Sequence, residues 1–399
     1  MAAFNIYKLI YFILNLHLAI ITYHFPESTL PLAKNLAETG CEVDYYFILR
    51  YKASKSIPGF DISNSKLHIG INKLTPVDAP ETFAYLGNAA VNIFIIYYPP
   101  KPNMALIKNL FAQLVFTKIN AKNYHFINVV GQDPLLINFH IGLKNVKRVH
   151  TLHEVNDHYQ NLNLNNPLLE YLFKEKIKII VHSKESYNKI CLYKAAHHKI
   201  IFEIPFGLFE TYLNYEPEYL IDKKTKYVLF FGYIHAYKGL DTLLASINLL
   251  SEDDIGIKFV IAGSGTSVEL NDLKNNKHCI VINRHLTNNE LVGLNKNAQF
   301  VVCPYKSASQ SGIIMTSFLF GRPIIASNVG AFSEVIDDGI NGILIKPNSP
   351  IELEIAIKTL CNDDEILKKM QSQVGVFSKK TAYNWHNIAY KTKEVYLMD

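Results

Sequence analysis

Three loops in the second half of the chain combine glycine with groups that can meet an anion. In "FFGYIHAYKGLD", Gly232 ends a strand pattern and Lys238-Gly239 precedes a helix pattern. An ammonium placed there can act as a point charge on a phosphate, or it can be a solvent lysine ahead of a cap glycine. In "SASQSGIIMTSFLF", Gln310, Ser311 and Gly312 stand where a helix too apolar for the surface begins. The free N–H groups and dipole at Ser311 and Gly312 would favour an anion, and Gly312 would let a ligand approach the backbone. Gln310 and the Ser311 side chain would add neutral hydrogen-bonding groups. The alternative is an ordinary capped core helix. The third loop, "IAGSGT", is glycine-rich but lacks the full dinucleotide pattern. Neither a Walker lysine nor an acidic metal pair accompanies these loops. Together they point to a nucleotide diphosphate held by backbone amides and Lys238.

The elements that must position these loops read as α/β throughout. A chain of 399 residues is about twice the usual domain size, so two domains are expected. Its 49% hydrophobic and 19% charged residues are those of a globular chain with ample core and no disordered tract. "LAIITYHF", "HFINVVG", "RVHTLHEV", "IKIIVHS" and "KIIFEIPFG" are β-branched and apolar on both faces, the pattern of strands in a helix-covered parallel sheet. The helix "LPLAKNLAETG" follows the first of them and should stop at Gly40. A polar interval from Glu210 to Lys226 reads as a linker, and a second series then runs through "YVLFFG", "KFVIAGSG", "CIVINRHL", "QFVVCPY", "PIIAS" and "GILIKP". Thr287 and Glu290 have capping-box spacing, which we read as structural. The chain thus divides into residues 1–212, 213–378 and a final helix, 379–399. Ligands of such sheets bind beyond the carboxyl ends of the strands, so two facing domains put the site in a cleft.

Other classes are disfavoured. Five widely spaced cysteines form no CxxC pair, which argues against a disulfide framework or zinc site and for a reducing cytosol. The net charge of +5 is mild, and no nucleic-acid module stands out. Basic runs such as "KNVKRVH" and "FKEKIKI" are solvated faces or contacts for anionic lipid or a phosphorylated substrate. "LIYFILNLHLAIITY" resembles a membrane segment but is short and interrupted by Asn15 and His17, and its second half fits a buried strand better.

From about Tyr227 to Lys346 the order and spacing of these motifs resemble the nucleotide-sugar-binding half of retaining GT-B glycosyltransferases of family 4, often called group 1, in a subgroup with an SQSG loop. "LPLAKNLAETGCEV", "TLHEVNDH", "IIVHS" and "IPFG" match the first half more loosely, and "WHNIA" resembles the last helix, which crosses back to the first domain. The resemblance implies two Rossmann-like domains facing across a cleft. It implies transfer of a sugar from a nucleotide diphosphate donor to a hydroxyl with retention, no required metal and no other cofactor. It places Lys238, with Gly232 and His235, on the diphosphate, and Ser311 and Gly312 beneath the phosphates. Gln310 and Thr316 are candidates near the ribose, and Glu334 is a candidate donor contact or a structural loop residue. It places His153 near the donor sugar, able to donate to a hydroxyl. The acceptor would enter beside Glu27 and Ser28 and the stretch from His153 to His158. The usual setting is cell-surface polysaccharide or lipid-linked glycan assembly, with a cytoplasmic enzyme at the inner membrane face.

Four departures from that family's pattern surround the expected cleft. Ala308 and Thr316 stand where many relatives carry two glutamates, and Tyr233 and His235 stand where an arginine is common. Phe206 replaces a histidine, and "HFPESTLP" replaces a glycine-rich loop. The second reading is therefore a catalytically silent GT-B protein that binds a partner or a nucleotide sugar.

Overall fold

The computed structural model describes residues 16–99, 105–154, 166–193, 199–250, 256–308, 312–377 and 380–398. Two sheets organise them. The first has eight strands, in the order β10 (Ile201–Glu203), β9 (Lys178–Val181), β8 (Lys147–Leu152), β7 (Phe126–Val130), β1 (His17–Thr22), β2 (Glu42–Arg50), β6 (Val91–Tyr98) and β5 (Gly70–Lys73). All pairs are parallel except β5 with β6. The second has six parallel strands, in the order β13 (Cys279–Ile282), β12 (Lys258–Ala262), β11 (Tyr227–Phe231), β14 (Phe300–Cys303), β15 (Ile324–Ser327) and β16 (Gly342–Ile345). Central strands such as β7 and β11 are buried along their whole length, as helix cover on both faces requires. The architecture is two Rossmann-like domains across a cleft.

Register brings the functional loops to one edge of each sheet. Thr22 pairs with Val130, Val130 with Thr151, and Leu152 with Val181, so residues 23–25, 131–133, 153–154 and 182–183 leave the first sheet side by side. Phe231 pairs with Ala262, which places Gly232 and Gly263 together at the corresponding edge of the second. The glycines of "IAGSGT" answer to backbone packing. A Cβ on Gly263 would lie 2.0 Å from the Gly232 carbonyl oxygen, and one on Gly265 would lie 2.1 Å from that of Ile234.

The start of the first helix differs from the sequence reading. The helix spans Pro26–Glu38 and takes in "PEST", whose composition suggests a loop. Pro26 supplies the fixed φ of a first helical residue, and Phe25 turns the chain in with φ 64°. Glu27 and Ser28 therefore sit in a helical first turn. The helix does end before Gly40, whose φ is 86°. The Thr287/Glu290 capping box is present, and Glu290 is further held by Arg284 at 2.6 Å.

The polar linker is packed rather than loose. Tyr212 and Tyr215, in and after a 3-10 turn at Glu210–Asn214, are buried. A two-stranded hairpin, β3 (Ser56–Ile57) with β4 (Phe60–Asp61), reaches from the first domain to the helix Asn288–Asn297 of the second. There Gly59 N–H donates to Asn288 Oδ1, and Asn288 Nδ2 donates to the Ile57 carbonyl, both at 3.0 Å. The final helix, Trp385–Leu397, crosses back to the first domain. Trp385 Nε1 donates to the Leu208 carbonyl at 2.7 Å, Asn128 Nδ2 to the Tyr396 hydroxyl at 3.0 Å, and Lys393 Nζ to the Thr39 carbonyl at 3.1 Å. Among the described residues no helix is long and apolar enough to cross a membrane. Residues 9–15 of the apolar N-terminal stretch lie outside those residues, and its second half forms β1.

Candidate active site

The second domain contributes a buried cation. After β11 the chain makes a short 3-10 turn, Ala236–Lys238, and enters the helix Leu240–Leu249 through Gly239. This turn folds the Lys238 side chain back over the strand end instead of out to solvent. Lys238 is only 6% exposed, and Nζ would lie 3.1 Å from a Cβ on Gly232. It sits 5.2 Å from the centre of the Tyr305 ring. No carboxylate among the described residues forms an ion pair with it. Burial pulls its pKa down to about 8, opposed by Cys303 and by Glu154 across the cleft. Such an ammonium is desolvated with no carboxylate in ion-pair contact, so an entering anion would offset part of the cost of its burial.

The helix Gly312–Leu319 begins beside this lysine, since a Cβ on Gly232 would also lie 3.1 Å from Ile313 Cδ1. Gly312 is required by packing: a Cβ there would lie 2.5 Å from the Phe209 ring. Thr316 is buried and its hydroxyl donates to the Gly312 carbonyl at 3.0 Å, so its proton is committed inside the helix. Gln310 and Ser311 lie outside the described residues, as does His158. His235 flanks the lysine turn, its ring 5.5 Å from that of Tyr237, and its carbonyl accepts from Lys238 N–H.

The first domain presents uncharged rings. His153 follows β8, is 6% exposed and stacks on Phe25 with centroids 4.1 Å apart. Its Nε2 is 3.1 Å from Ser28 Oγ. The Ser28 hydroxyl is also within hydrogen-bonding distance of the Phe25 carbonyl, which can only accept. With that proton committed, His153 Nε2–H is the donor to Ser28 and Nδ1 carries the lone pair. Burial, then His182 and His24, hold His153 well below the usual histidine range. His182, 4.6 Å away after β9, donates from Nδ1 to the Ile204 carbonyl at 2.8 Å and is pushed down to about 4 by burial. Both rings are neutral at physiological pH.

Glu27 lies apart from this pair. Its Oε2 is enclosed without a hydrogen-bond partner, and burial pushes the carboxyl up to about 7. Its Cβ would lie 3.0 Å from a Cβ on Gly59, so it faces the hairpin and linker. Glu334 spends both carboxylate oxygens on the first domain: Oε2 accepts from Lys184 N–H at 2.9 Å and Oε1 from Glu185 N–H at 3.0 Å.

The structure therefore brings together Gly232, Lys238 and Gly312 on one wall, and Ser28 and His153 on the other. Sequence reasoning missed Glu154, the carboxylate facing Lys238, which accepts from Gln132 Nε2 at 3.3 Å. It also missed His182, although "IIVHS" repeats the strand-then-histidine signal of "VHTLH".

Comparison with known proteins points to the same fold. Residues 225–363 match the family described as Glycosyl transferases group 1. An uncharacterized glycosyltransferase of Methanocaldococcus jannaschii is 29% identical over 171 residues, 42% of this chain and 47% of that one. The chain spans about half the length of the curated relatives it matches. In fold it resembles Anabaena HepE, solved with UDP and glucose (TM-score 0.65, 14% identity, 95% of this chain and 98% of that one). It also resembles sucrose-phosphate synthase of Thermosynechococcus elongatus (TM-score 0.66, 16% identity, 96% and 98%). The group 1 match and the shared fold together support a GT-B glycosyltransferase.

Proposed function

We propose that this protein transfers a sugar from a nucleotide diphosphate sugar to a hydroxyl acceptor, with retention and without a metal, in cell-surface polysaccharide or lipid-linked glycan assembly. The observation that carries the reading is Lys238, a buried ammonium with no ion-paired carboxylate among the described residues, beside the start of an apolar helix. Charge building on a departing nucleotide diphosphate is the largest electrostatic demand of such a step, and a preorganised cation meets it. The Gly312 end of the helix would add its dipole, with Ser311 and Gln310 as further donors. His153, neutral and held by Ser28, would stand near the donor sugar. A front-face displacement needs no protein nucleophile, so neutral rings on the acceptor wall suffice. HepE, a structural neighbour solved with UDP and with UDP-glucose, makes UDP the first nucleotide to try. The acceptor would be a saccharide or lipid-linked saccharide met at the membrane's inner face, with no nucleic acid involved.

A silent GT-B binding protein is the second reading, favoured by Ala308 and by the committed hydroxyl of Thr316 where many relatives carry glutamates. Thermal unfolding with a panel of nucleoside diphosphates and their sugars, with and without EDTA, tests both. A ligand at a hundred times its dissociation constant adds about 2.7 kcal/mol. Stabilisation by one nucleotide sugar, indifferent to EDTA and followed by turnover of that sugar, supports the transferase. Silence across the panel from folded protein would discard it.

A further inference from the structure

The first amides of the helix Lys184–Tyr193 have an unusual destination. An α-helix leaves its first N–H groups without intrahelical partners, and these are normally met locally or by water. Here Ser183 Oγ accepts from Ser186 N–H at 3.1 Å, a local cap. The two earlier amides, of Lys184 and Glu185, both go to the Glu334 carboxylate of the other domain, at 2.9 and 3.0 Å. A carboxylate shared by two amides at the positive end of a helix dipole is a charge-assisted contact of the stronger kind.

We infer that Glu334 is a positioning residue: its carboxylate seats on the Lys184–Tyr193 helix and sets the two walls of the cleft at their working separation.

Three observations support this. The Glu334 loop is also tied to the segment that leads into the final helix, because the Tyr383 hydroxyl donates to the Glu334 carbonyl at 2.8 Å and Lys380 pairs with Asp337 at 2.5 Å. The loop also touches the approach to the helix Gly312–Leu319: a Cβ on Gly330 would meet the Ala308 carbonyl oxygen at 1.8 Å and Glu185 Oε2 at 3.0 Å. Finally, a cavity of about 190 Å³, lined by His182, Phe206, Met315, Phe332, Glu334 and Tyr383, separates the walls under the contact. The Glu334 contact thus sits at the rim of a space that residues of both domains line. Asn288 and the β3–β4 hairpin hold another junction between the domains. When the cleft opens, the two amides can be met by water, which makes the contact reversible.

The link to turnover rests on the transferase reading; the contact itself does not. Full-length wild type, Glu334→Gln and Glu334→Ala are compared by amide hydrogen exchange, with UDP as the nucleotide probe. Exchange at Lys184 and Glu185 should rise at least tenfold in Glu334→Ala and less in Glu334→Gln, whose single amide oxygen replaces one acceptor. Ser186 should stay protected, which shows that the helix is intact. The UDP-induced thermal shift should match wild type, while kcat for the donor found by the nucleotide panel falls about tenfold or more, with Glu334→Gln in between. Unchanged exchange in Glu334→Ala would overturn the contact. Raised exchange with unchanged kcat would overturn the positioning role. Absence of any UDP or nucleotide-sugar response in wild type counts against the transferase reading instead, because the exchange readout requires no nucleotide.

Discussion

The two walls of the cleft are built from opposite electrostatics. The second domain offers a buried ammonium, Lys238, at the start of an apolar helix. The first offers neutral histidines, with Phe25 stacked on one of them and a carboxyl nearby raised to about 7. Burial acts on both walls in the same sense, disfavouring the charged form. It leaves a lysine mostly protonated at neutral pH because its ordinary value is so high, and it leaves a histidine fully neutral. One wall is thereby suited to an anionic leaving group and the other to hydroxyls, which is the division that sugar transfer from a nucleotide diphosphate requires.

The largest effect expected from breaking this asymmetry is at Lys238. Lys238→Met keeps the volume and removes the charge, so nucleoside diphosphate affinity should fall about a hundredfold in calorimetric titration. The same variant should be more stable than wild type without ligand, by on the order of 2 kcal/mol at pH 7. The lysine's pKa is lower folded than unfolded, about 8 against 10.5, so the unfolded chain binds more protons between those values. Wild-type stability should therefore rise with pH across that window through this group, and the variant should lack the rise.

On the neutral wall the effects are smaller. His153→Ala should lower turnover of the donor by about tenfold to a hundredfold, with nucleotide affinity within a few-fold of wild type. Glu27→Gln should stabilise the protein by on the order of 2 kcal/mol at pH 8 and leave it unchanged at pH 4. The sign follows from a carboxyl whose folded pKa is raised from 4.5 to about 7: that group's contribution to stability is lost as pH climbs through this window. Smallest of all should be Thr316→Val. Its hydroxyl is committed to the Gly312 carbonyl, so nucleotide affinity should change by less than about twofold.

The same asymmetry separates what the sequence made legible from what it did not. Lys238 and the Gly312 helix start were readable because each is a local pattern, a strand followed within a few residues by glycine and a helix. The alternation of strands and helices was readable for the same reason. Glu334 was not: its partners are 149 and 150 residues away, and nothing in "GAFSEVI" says that its carboxylate leaves its own domain. Glu154 and His182 became visible only once parallel register set β7, β8 and β9 side by side. The helical first turn at Pro26 was missed because "PEST" reads as loop by composition, while proline's fixed φ suits it to open a helix.

The central claim is that a protonated Lys238 holds a nucleotide diphosphate without a metal. The most direct test is calorimetric titration of the preferred nucleoside diphosphate into wild type in EDTA, from pH 7.5 to 9.5. The ligand's phosphates no longer titrate in that range, whereas the free lysine loses its proton. Affinity should fall roughly twentyfold across it, with Lys238→Met weak and flat throughout. An affinity that ignores pH in wild type, or that vanishes in EDTA at pH 7.5, would contradict the account.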